Sequence, residues 1–311
     1  MRLLSEIREH ELVIIGGGVA GLTAGIYAAR YGMDIALLSE GGPGGQIAMT
    51  AHIENIPGFP EGISGPEFIM RIAEQTQSFD VAVQSAPVGS IERAGDRWHV
   101  VSGETIYSTL TVLIAAGASP RRLDIPGEAK LFGRGVSSCA TCDGFFYRGK
   151  TVAVVGGGNT AIEDALYLAD IVEKVYVIHR RDELRADPIL ADRVLAAENV
   201  EVIWDTVPTA VNGEAEVESV SLHNRKTEAD SELVVDGLFE AIGYDPNTAC
   251  LDGLLELDEG FIVANMRMET SQPGIFVAGD VRDTPLRQVV TAMGDAAIAA
   301  SSAYHYACDR R

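Results

Sequence analysis

Two glycine turns set 140 residues apart constrain this chain more than any other feature. Residues 11–15 are a short apolar run of the kind that becomes a buried parallel strand, and Gly16, Gly18 and Gly21 follow it at the spacing G-x-G-x-x-G. Residues 151–155 are a second such run, followed by Gly156, Gly158 and Ala161 at the same spacing. With the numbering shifted by 140, Gly16 falls on Gly156, Gly18 on Gly158, Gly21 on Ala161 and Tyr27 on Tyr167, so one strand-turn-helix unit is repeated within the chain. In such a unit the glycines permit a tight turn and a close approach of backbone to a pyrophosphate, while the helix N-terminus supplies NH groups and positive dipole. The predicted fold class is α/β, with two Rossmann-like dinucleotide-binding domains.

The two units differ where their second strands end. Residues 34–39 lead to Glu40, an acid placed to hydrogen-bond ribose hydroxyls, whereas residues 174–178 lead to His179, Arg180, Arg181 and Arg185. Guanidinium groups there suit a 2'-phosphate, so the first site is read as suited to FAD and the second to NADPH. The plainer alternative for the arginines is a solvated cluster at a strand end.

Between the units stand Cys139, Cys142 and Asp143 in the run CATCD. A bridge over so short a loop restricts the unfolded chain little, so the pair fits redox chemistry better than a structural staple. Asp143 directly follows the second sulfur, where a carboxyl group could exchange a proton with a thiolate. Zinc would need further ligands, and Cys250 and Cys308 are solitary; two ordinary buried thiols remain the other bland reading.

Composition narrows the partners. Against 24 basic residues stand 45 acidic ones, a net charge of -21, which argues against nucleic acid or an anionic membrane. Lysine occurs only at positions 130, 150, 174 and 226, an acidic, lysine-poor composition that suits a salt-rich cytoplasm or an ordinary one. The apolar run 12–29 is broken by glycines and lacks a basic flank, so it reads as strand, turn and helix rather than as a membrane or signal segment. With four cysteines and no disulfide framework, a cytoplasmic location is expected.

The remaining pattern places the domains. Glycine-rich 41–46 and irregular 56–60 are loops able to approach a flat ring system, 68–79 is an amphipathic helix, and 90–106 an antiparallel insertion. A buried strand at 112–116 ends at Gly117, Ser119 and Pro120, a crossing out of the first domain. Strands at 200–204, 217–224 and 233–240 belong to the second unit, and residues 243–247 cross back. Strands at 261–263 and 275–278 then complete the first domain, with Asp280 after the last strand where it could bind a ribitol chain, and a helix over 287–306 follows. The expected organisation is an FAD-binding domain in two parts, 1–117 and 246–311, with an NADPH-binding domain, 118–245, inserted and carrying the cysteine pair.

Taken together, GGQI at 44–47, ENIPGFP at 54–60, CATCDGFFYRGK at 139–150, GGGNTAIEDALYL at 156–168, HRRDELR at 179–185, GYDPNT at 243–248, GIFVAGDVRD at 274–283 and RQVVTAMGDAAIAA at 287–300 resemble the low-molecular-weight thioredoxin reductases of the bacterial and archaeal type. The resemblance runs in order from Gly16 to Tyr304. It implies that Gly45, Gln46, Asn55, Asp280, Arg287 and Gln288 lie around FAD, and that Asn159, Thr160 and the segment from His179 to Arg185 serve NADPH. It also implies that Cys142 lies against the flavin, Cys139 attacks the protein substrate, Asp143 acts as acid/base, and the protein is a homodimer. Val19 and Ala116 depart from the residues frequent at their positions and touch none of the chemistry.

The expected function is therefore NADPH-dependent, FAD-mediated reduction of the disulfide of thioredoxin. A glutaredoxin-like protein, a peroxidase partner or a low-molecular-weight disulfide as substrate is the alternative on the same fold, and a flavin-based redox sensor the alternative of another class. Because both the nicotinamide and the cysteine pair belong to the inserted domain and both must reach one flavin, a rotation of that domain during turnover is also expected.

Overall fold

Parallel strands alternating with helices build most of the structure, a computed structural model that describes residues 6–50, 53 and 55–310. In chain order the elements are β1 (Glu6–Ile15), α1 (Val19–Arg30), β2 (Ile35–Ser39), α2 (Gly65–Gln77), β3 (Val83–Ser85), β4 (Ser90–Ala94), β5 (Arg97–Ser102), β6 (Thr105–Ile114) and β7 (Ala118–Pro120). Next come α3 (Glu128–Leu131), β8 (Val136–Ser137), α4 (Ala140–Asp143), β9 (Thr151–Val155), α5 (Asn159–Ala169), β10 (Lys174–Ile178), α6 (Pro188–Ala196), β11 (Val200–Ile203), β12 (Thr206–Asn212), β13 (Ser219–Asn224), β14 (Asp230–Val234) and β15 (Gly237–Glu240). The chain closes with β16 (Tyr244–Pro246), β17 (Leu257–Asp258), β18 (Phe261–Ile262), β19 (Ile275–Val277) and α7 (Val289–Cys308). It divides into two units, Met1–Ser119 with Asp245–Arg311, and Pro120–Tyr244.

In the first unit the sheet order is β3-β2-β1-β6, all parallel. The far edge of β6 is shared: β5 pairs with it antiparallel along residues 105–109, and β19 pairs parallel along residues 112–114. Alternate residues of the central strands enter two separate cores, Leu12, Ile14, Leu37 and Leu113 on one face, and Val13, Ile15, Leu38 and Ile114 on the other. Burial on both faces is why these strands read as continuous apolar runs rather than as alternating ones.

The second unit repeats the plan. Its parallel order is β11-β10-β9-β15, with β8 added beside β15. Val152, Val154, Val175, Val177 and Phe239 form one core, while Ala153, Val155, Ile178 and Leu238 face the other with Leu131, Val217 and Val220. An antiparallel sheet of β12, β13 and β14 is appended.

Several expectations need correction. The single strand expected over 233–240 is two strands in different sheets, β14 against β13 and β15 against β9. The chain changes partner at Asp236, whose carboxylate accepts the Thr151 N–H at 2.9 Å and whose own N–H donates to the Thr151 carbonyl at 2.8 Å. No proline or glycine marks that break before Gly237, so pattern alone runs through it. Strand β12 contains Pro208 and a register shift between Pro208 and Ala210, the bulge that lets a proline sit on an edge strand. It was not expected from the sequence, nor was α6, a nine-residue helix whose first residue is Pro188. The helix expected over 68–79 starts earlier, at Gly65, because the Ser64 hydroxyl caps it by accepting the Glu67 N–H at 3.3 Å.

A charged cluster lies inside the second unit. Glu128 accepts the backbone N–H groups of Leu123 and Ile125, at 3.3 and 3.1 Å, and the Arg122 guanidinium lies over the Phe132 ring at 3.6 Å. One Arg122 nitrogen is 3.9 Å from a carboxylate oxygen of Glu128 and 3.9 Å from one of Glu240. Burial, and then the neighbouring Glu128 charge, push the Glu240 carboxyl up to about 8. The folded state therefore holds this proton more tightly than the unfolded chain, and the stability that this binding contributes is present at low pH and lost as pH rises toward 8. One such proton gives a slope of up to ~1.4 kcal/mol per pH unit. Between pH 6 and 8.5, urea unfolding of the wild type should lose more free energy than that of Glu240→Gln, which keeps the neutral shape; parallel pH curves would remove Glu240 from the pH response.

Candidate active site

The first glycine turn is fixed by the protein's own backbone. Gly16 leaves β1 at φ +117°, its N–H donating to the Leu38 carbonyl at 2.8 Å, and a side chain at Gly21 would sit 1.8 Å from the Gly16 oxygen. Gly18 is different. It has ordinary extended backbone, and a Cβ there would meet nothing nearer than the Gly44 oxygen at 3.8 Å. Gly41, Gly42 and Gly44 also border open space. Gly18 caps α1, which has no side-chain cap and no acid in its first turn, so its leading N–H groups face outward with their dipole unneutralised. This bare backbone fits a pyrophosphate and an extended flavin, and residues at this end of the sheet would hold FAD.

The other residues expected around FAD gather in the same unit. Glu40 is exposed at the end of β2, Gly45 has φ +84°, and the Gln46 side-chain amide donates to the Ala118 carbonyl at 3.0 Å. Asn55, far from Gln288 in sequence, donates its side-chain N–H to the Gln288 side-chain oxygen at 3.0 Å. Glu54, the first residue of the ENIPGFP motif, lies outside the described residues. Asp280 follows β19, and burial raises its carboxyl pKa against the opposing charge of Arg287. The Arg287 guanidinium lies 4.2 Å from the Phe261 ring centre.

The second turn repeats the hydrogen bonds of the first at the same offset. Gly156 N–H donates to the Ile178 carbonyl at 3.2 Å and Ile162 N–H to the Gly158 carbonyl at 3.1 Å, matching Gly16 to Leu38 and Leu22 to Gly18. Gly158 again borders open space, and α5 again lacks a side-chain cap and an early acid. The Arg185 and Ala186 N–H groups donate to the Gly157 carbonyl at 2.7 and 3.1 Å, which folds the arginine loop back onto the turn. Arg180, Arg181 and Arg185 are exposed, and among the described residues no carboxylate pairs with any of them. Three uncompensated guanidinium groups beside bare helix N–H groups fit a 2'-phosphorylated dinucleotide.

Two residues expected at this site also brace the protein around it. The Asn159 side chain exchanges hydrogen bonds with Asp187, at 3.1 and 2.8 Å, joining the starts of α5 and α6, while Thr160 beside it is exposed. His179 is buried, its Nδ1 at 3.0 Å from the Gly156 carbonyl and its Nε2 at 2.9 Å from the Glu183 carbonyl. Its ring fills the space that a Gly157 side chain would need, and burial lowers its pKa. A neutral imidazole has one N–H and so donates to only one of these two carbonyls, and either bond ties the ring to the loop backbone.

The sulfurs lie at a one-turn helix in this second unit. Cys139 and Cys142 are joined as a disulfide, Cys139 capping α4 and Cys142 within it. The Asp143 carboxylate accepts the Ser137 hydroxyl at 2.6 Å through Oδ2, and the same hydroxyl oxygen accepts the Cys139 N–H at 3.0 Å. Burial raises the Asp143 pKa while the Ser137 hydrogen bond lowers it. Tyr244 donates its hydroxyl to the Ser138 carbonyl at 2.8 Å, and Phe145 and Phe146 are exposed just beyond the pair. Ser137 was not singled out by sequence. A serine two residues before a cysteine carries no signal until the fold returns Asp143 to it. Cys308 is exposed and Cys250 half-buried, both free.

A disulfide beside a carboxyl group, with two dinucleotide turns in one chain, is the equipment of a flavoprotein disulfide oxidoreductase. The model of the pyridine nucleotide-disulphide oxidoreductase family matches residues 10–296, and the chain belongs to that family. It is similar to thioredoxin reductase of Bacillus subtilis strain 168, 41% identical over 305 residues that cover 97% of this chain and 96% of the relative. Among solved structures, thioredoxin reductase of Streptococcus pyogenes superposes with a TM-score of 0.92 at 44% identity, covering 96% of this chain and 98% of that one. Lactococcus lactis thioredoxin reductase, solved in what is described as the FR conformation, gives 0.66 at 41% identity over 96% of this chain and 99% of that one. The fold class is that of these structures, with two dinucleotide-binding domains.

Gly158 separates ligand space from protein space. Its backbone angles suit alanine and a methyl group there meets no protein atom within 4 Å, so Gly158→Ala should keep the wild-type Tm without ligand. The same methyl group would stand in the path of a pyrophosphate, and NADPH should bind at least about tenfold more weakly, ~1.4 kcal/mol, by fluorescence titration. Unchanged affinity would place the dinucleotide elsewhere.

Proposed function

We propose that this chain is an NADPH-dependent thioredoxin reductase that acts through the Cys139–Cys142 disulfide. The observation that carries the reading is a disulfide with a half-buried acid beside it, held in the same unit as an arginine-lined dinucleotide turn. Near-complete alignment with thioredoxin reductases supports thioredoxin as the substrate.

FAD is bound by the first unit, at the turn of Gly16, Gly18 and Gly21 and by Glu40, Gly45, Gln46, Asn55, Asp280, Arg287 and Gln288. NADPH is bound by the inserted unit, at Gly156, Gly158, Asn159, Thr160 and the segment from His179 to Arg185. Bound FAD supplies the two-electron transfer between the nicotinamide and the disulfide. When the disulfide opens, Asp143 gives its proton to a sulfur and is left as a carboxylate. The Cys139 thiolate then attacks the disulfide of thioredoxin, expelling one thiolate and forming a mixed disulfide. Cys142 attacks the Cys139 sulfur, which releases reduced thioredoxin and restores the Cys139–Cys142 bond.

Three further features belong to this reading. A change of arrangement between the two units accompanies turnover, because the nicotinamide and the cysteine pair both belong to the inserted unit and both must reach one flavin. The protein acts as a homodimer, for which exposed Tyr27 and Tyr31 on or beside α1 and Val290 and Ile298 on α7 provide apolar surface. It works in the cytoplasm and away from membranes, consistent with a net charge of -21 and with no helix among the described residues being long and apolar enough to cross one.

With thioredoxin as substrate, the purified protein should consume NADPH continuously and prefer it over NADH by more than about tenfold in kcat/KM, since each arginine contributes roughly 1.5 to 3 kcal/mol to a 2'-phosphate. Equal values for the two cofactors would remove the arginines from recognition, and absence of steady consumption would favour a redox sensor. The sulfurs are separated spectroscopically. Cys139→Ser should leave a thiolate giving a long-wavelength charge-transfer band with bound FAD, and Cys142→Ser should not; a band only in Cys142→Ser would reverse the roles.

A further inference from the structure

We propose that Ser137 is the positioning residue for proton transfer at the Cys139–Cys142 pair, its single hydroxyl holding the Asp143 carboxyl and the Cys139 amide together and turning over when Asp143 changes protonation state. This rests on the reading of Asp143 as the acid/base.

A serine hydroxyl offers one proton and two lone pairs. Here one lone pair takes the Cys139 N–H at 3.0 Å, and the proton goes to Asp143 Oδ2 at 2.6 Å, the short distance of a hydroxyl-to-carboxylate bond. A second acceptor is within reach, the Cys139 carbonyl at 3.5 Å. When Asp143 carries a proton, the carboxylic acid can donate to Ser137 Oγ while the hydroxyl proton swings to that carbonyl. Both states of the acid are then satisfied by one rotation of the hydroxyl and a small shift that closes its 3.5 Å separation from the Cys139 carbonyl.

The location of Ser137 makes the rotation confined. It ends β8, where Ser137 registers with Phe239 of β15, and only 5% of the residue is exposed, so the hydroxyl has no easy alternative in water. Asp143 is the last residue of the one-turn helix that Cys139 caps. The hydroxyl thus ties the start of that turn to its end and holds the carboxyl beside the cysteine pair. When the disulfide accepts two electrons and the S–S bond breaks, one proton passes from the Asp143 carboxyl to a cysteine sulfur. The carboxylate that remains is the species to which Ser137 donates. Reoxidation of the pair reverses each of these transfers. Removing the hydroxyl takes away the donor that favours the ionised form, so the acid should hold its proton more tightly.

The test titrates Asp143 itself in the FAD-loaded oxidised protein, by NMR of carboxyl-labelled aspartate with Asp143→Asn assigning the signal. Ser137→Ala should raise the Asp143 titration midpoint by about one pH unit, and Ser137→Thr, which keeps a hydroxyl, should bring it back toward the wild-type position. The pH profile of single-turnover disulfide reduction should move with it in Ser137→Ala, with KM for thioredoxin unchanged, which a purely structural role would not produce. A midpoint and profile unmoved in Ser137→Ala, while Asp143→Asn slows the step, would overturn the role of Ser137 alone. An Asp143→Asn enzyme that reduces its disulfide at the wild-type rate would overturn the acid/base reading and this inference with it.

Discussion

Twice in this chain the backbone leaves the carboxyl end of a buried parallel strand and turns through a glycine into a helix whose first N–H groups have no side-chain partner. The crossing is so tight that the protein's own carbonyls occupy the space of a Cβ at Gly16 and Gly21, and at Gly156. Neither turn could be rebuilt with larger residues without parting helix from sheet. Each bare helix start offers an anion NH groups and dipole, an interaction of roughly 0.3 to 2 kcal/mol before any side chain contributes. Side chains at the end of the next strand then differ between the units: Glu40 in the first, and the exposed arginines beyond Ile178 in the second.

The redox centre depends on the second of these frames. β8 joins the parallel sheet beside β15, and the chain leaves it directly into the turn that carries Cys139, Cys142 and Asp143. A sheet edge is rigid, so the hydroxyl of Ser137 is fixed in place, and the acid is held from a position that the one-turn helix alone could not define. Burial then raises the pKa of that acid, which brings its proton nearer to the range where it can be exchanged at neutral pH.

Much of this was legible in the sequence because it depends on local pattern. The strands β9 and β10 begin and end where their apolar runs do, and the repeat at an offset of 140 reappears as matching hydrogen bonds at Gly16 and Gly156. Long-range pairing was the harder part. The division of 233–240 between two sheets is made by Asp236 bonding to Thr151, a partner 85 residues away that no local window contains. The polar start of β1 becomes strand because β6 pairs with it from Glu6 onward, and Ser137 gains its meaning only when Asp143 folds back to it. Buried charge was equally hidden, since Glu240 sits at the end of an apolar strand and its proximity to Arg122 and Glu128 is a product of the fold.

The claim on which all of this converges is that Cys139 is the sulfur that meets thioredoxin. It is tested most directly by trapping the mixed disulfide: the Cys142→Ser protein is mixed with thioredoxin activated as a mixed disulfide on its attacking cysteine, and the cross-linked species is mapped by mass spectrometry. A covalent complex joined through Cys139 is the predicted result. A complex joined through Cys250 or Cys308, or none while the same activated thioredoxin reacts with a small thiol, would contradict it.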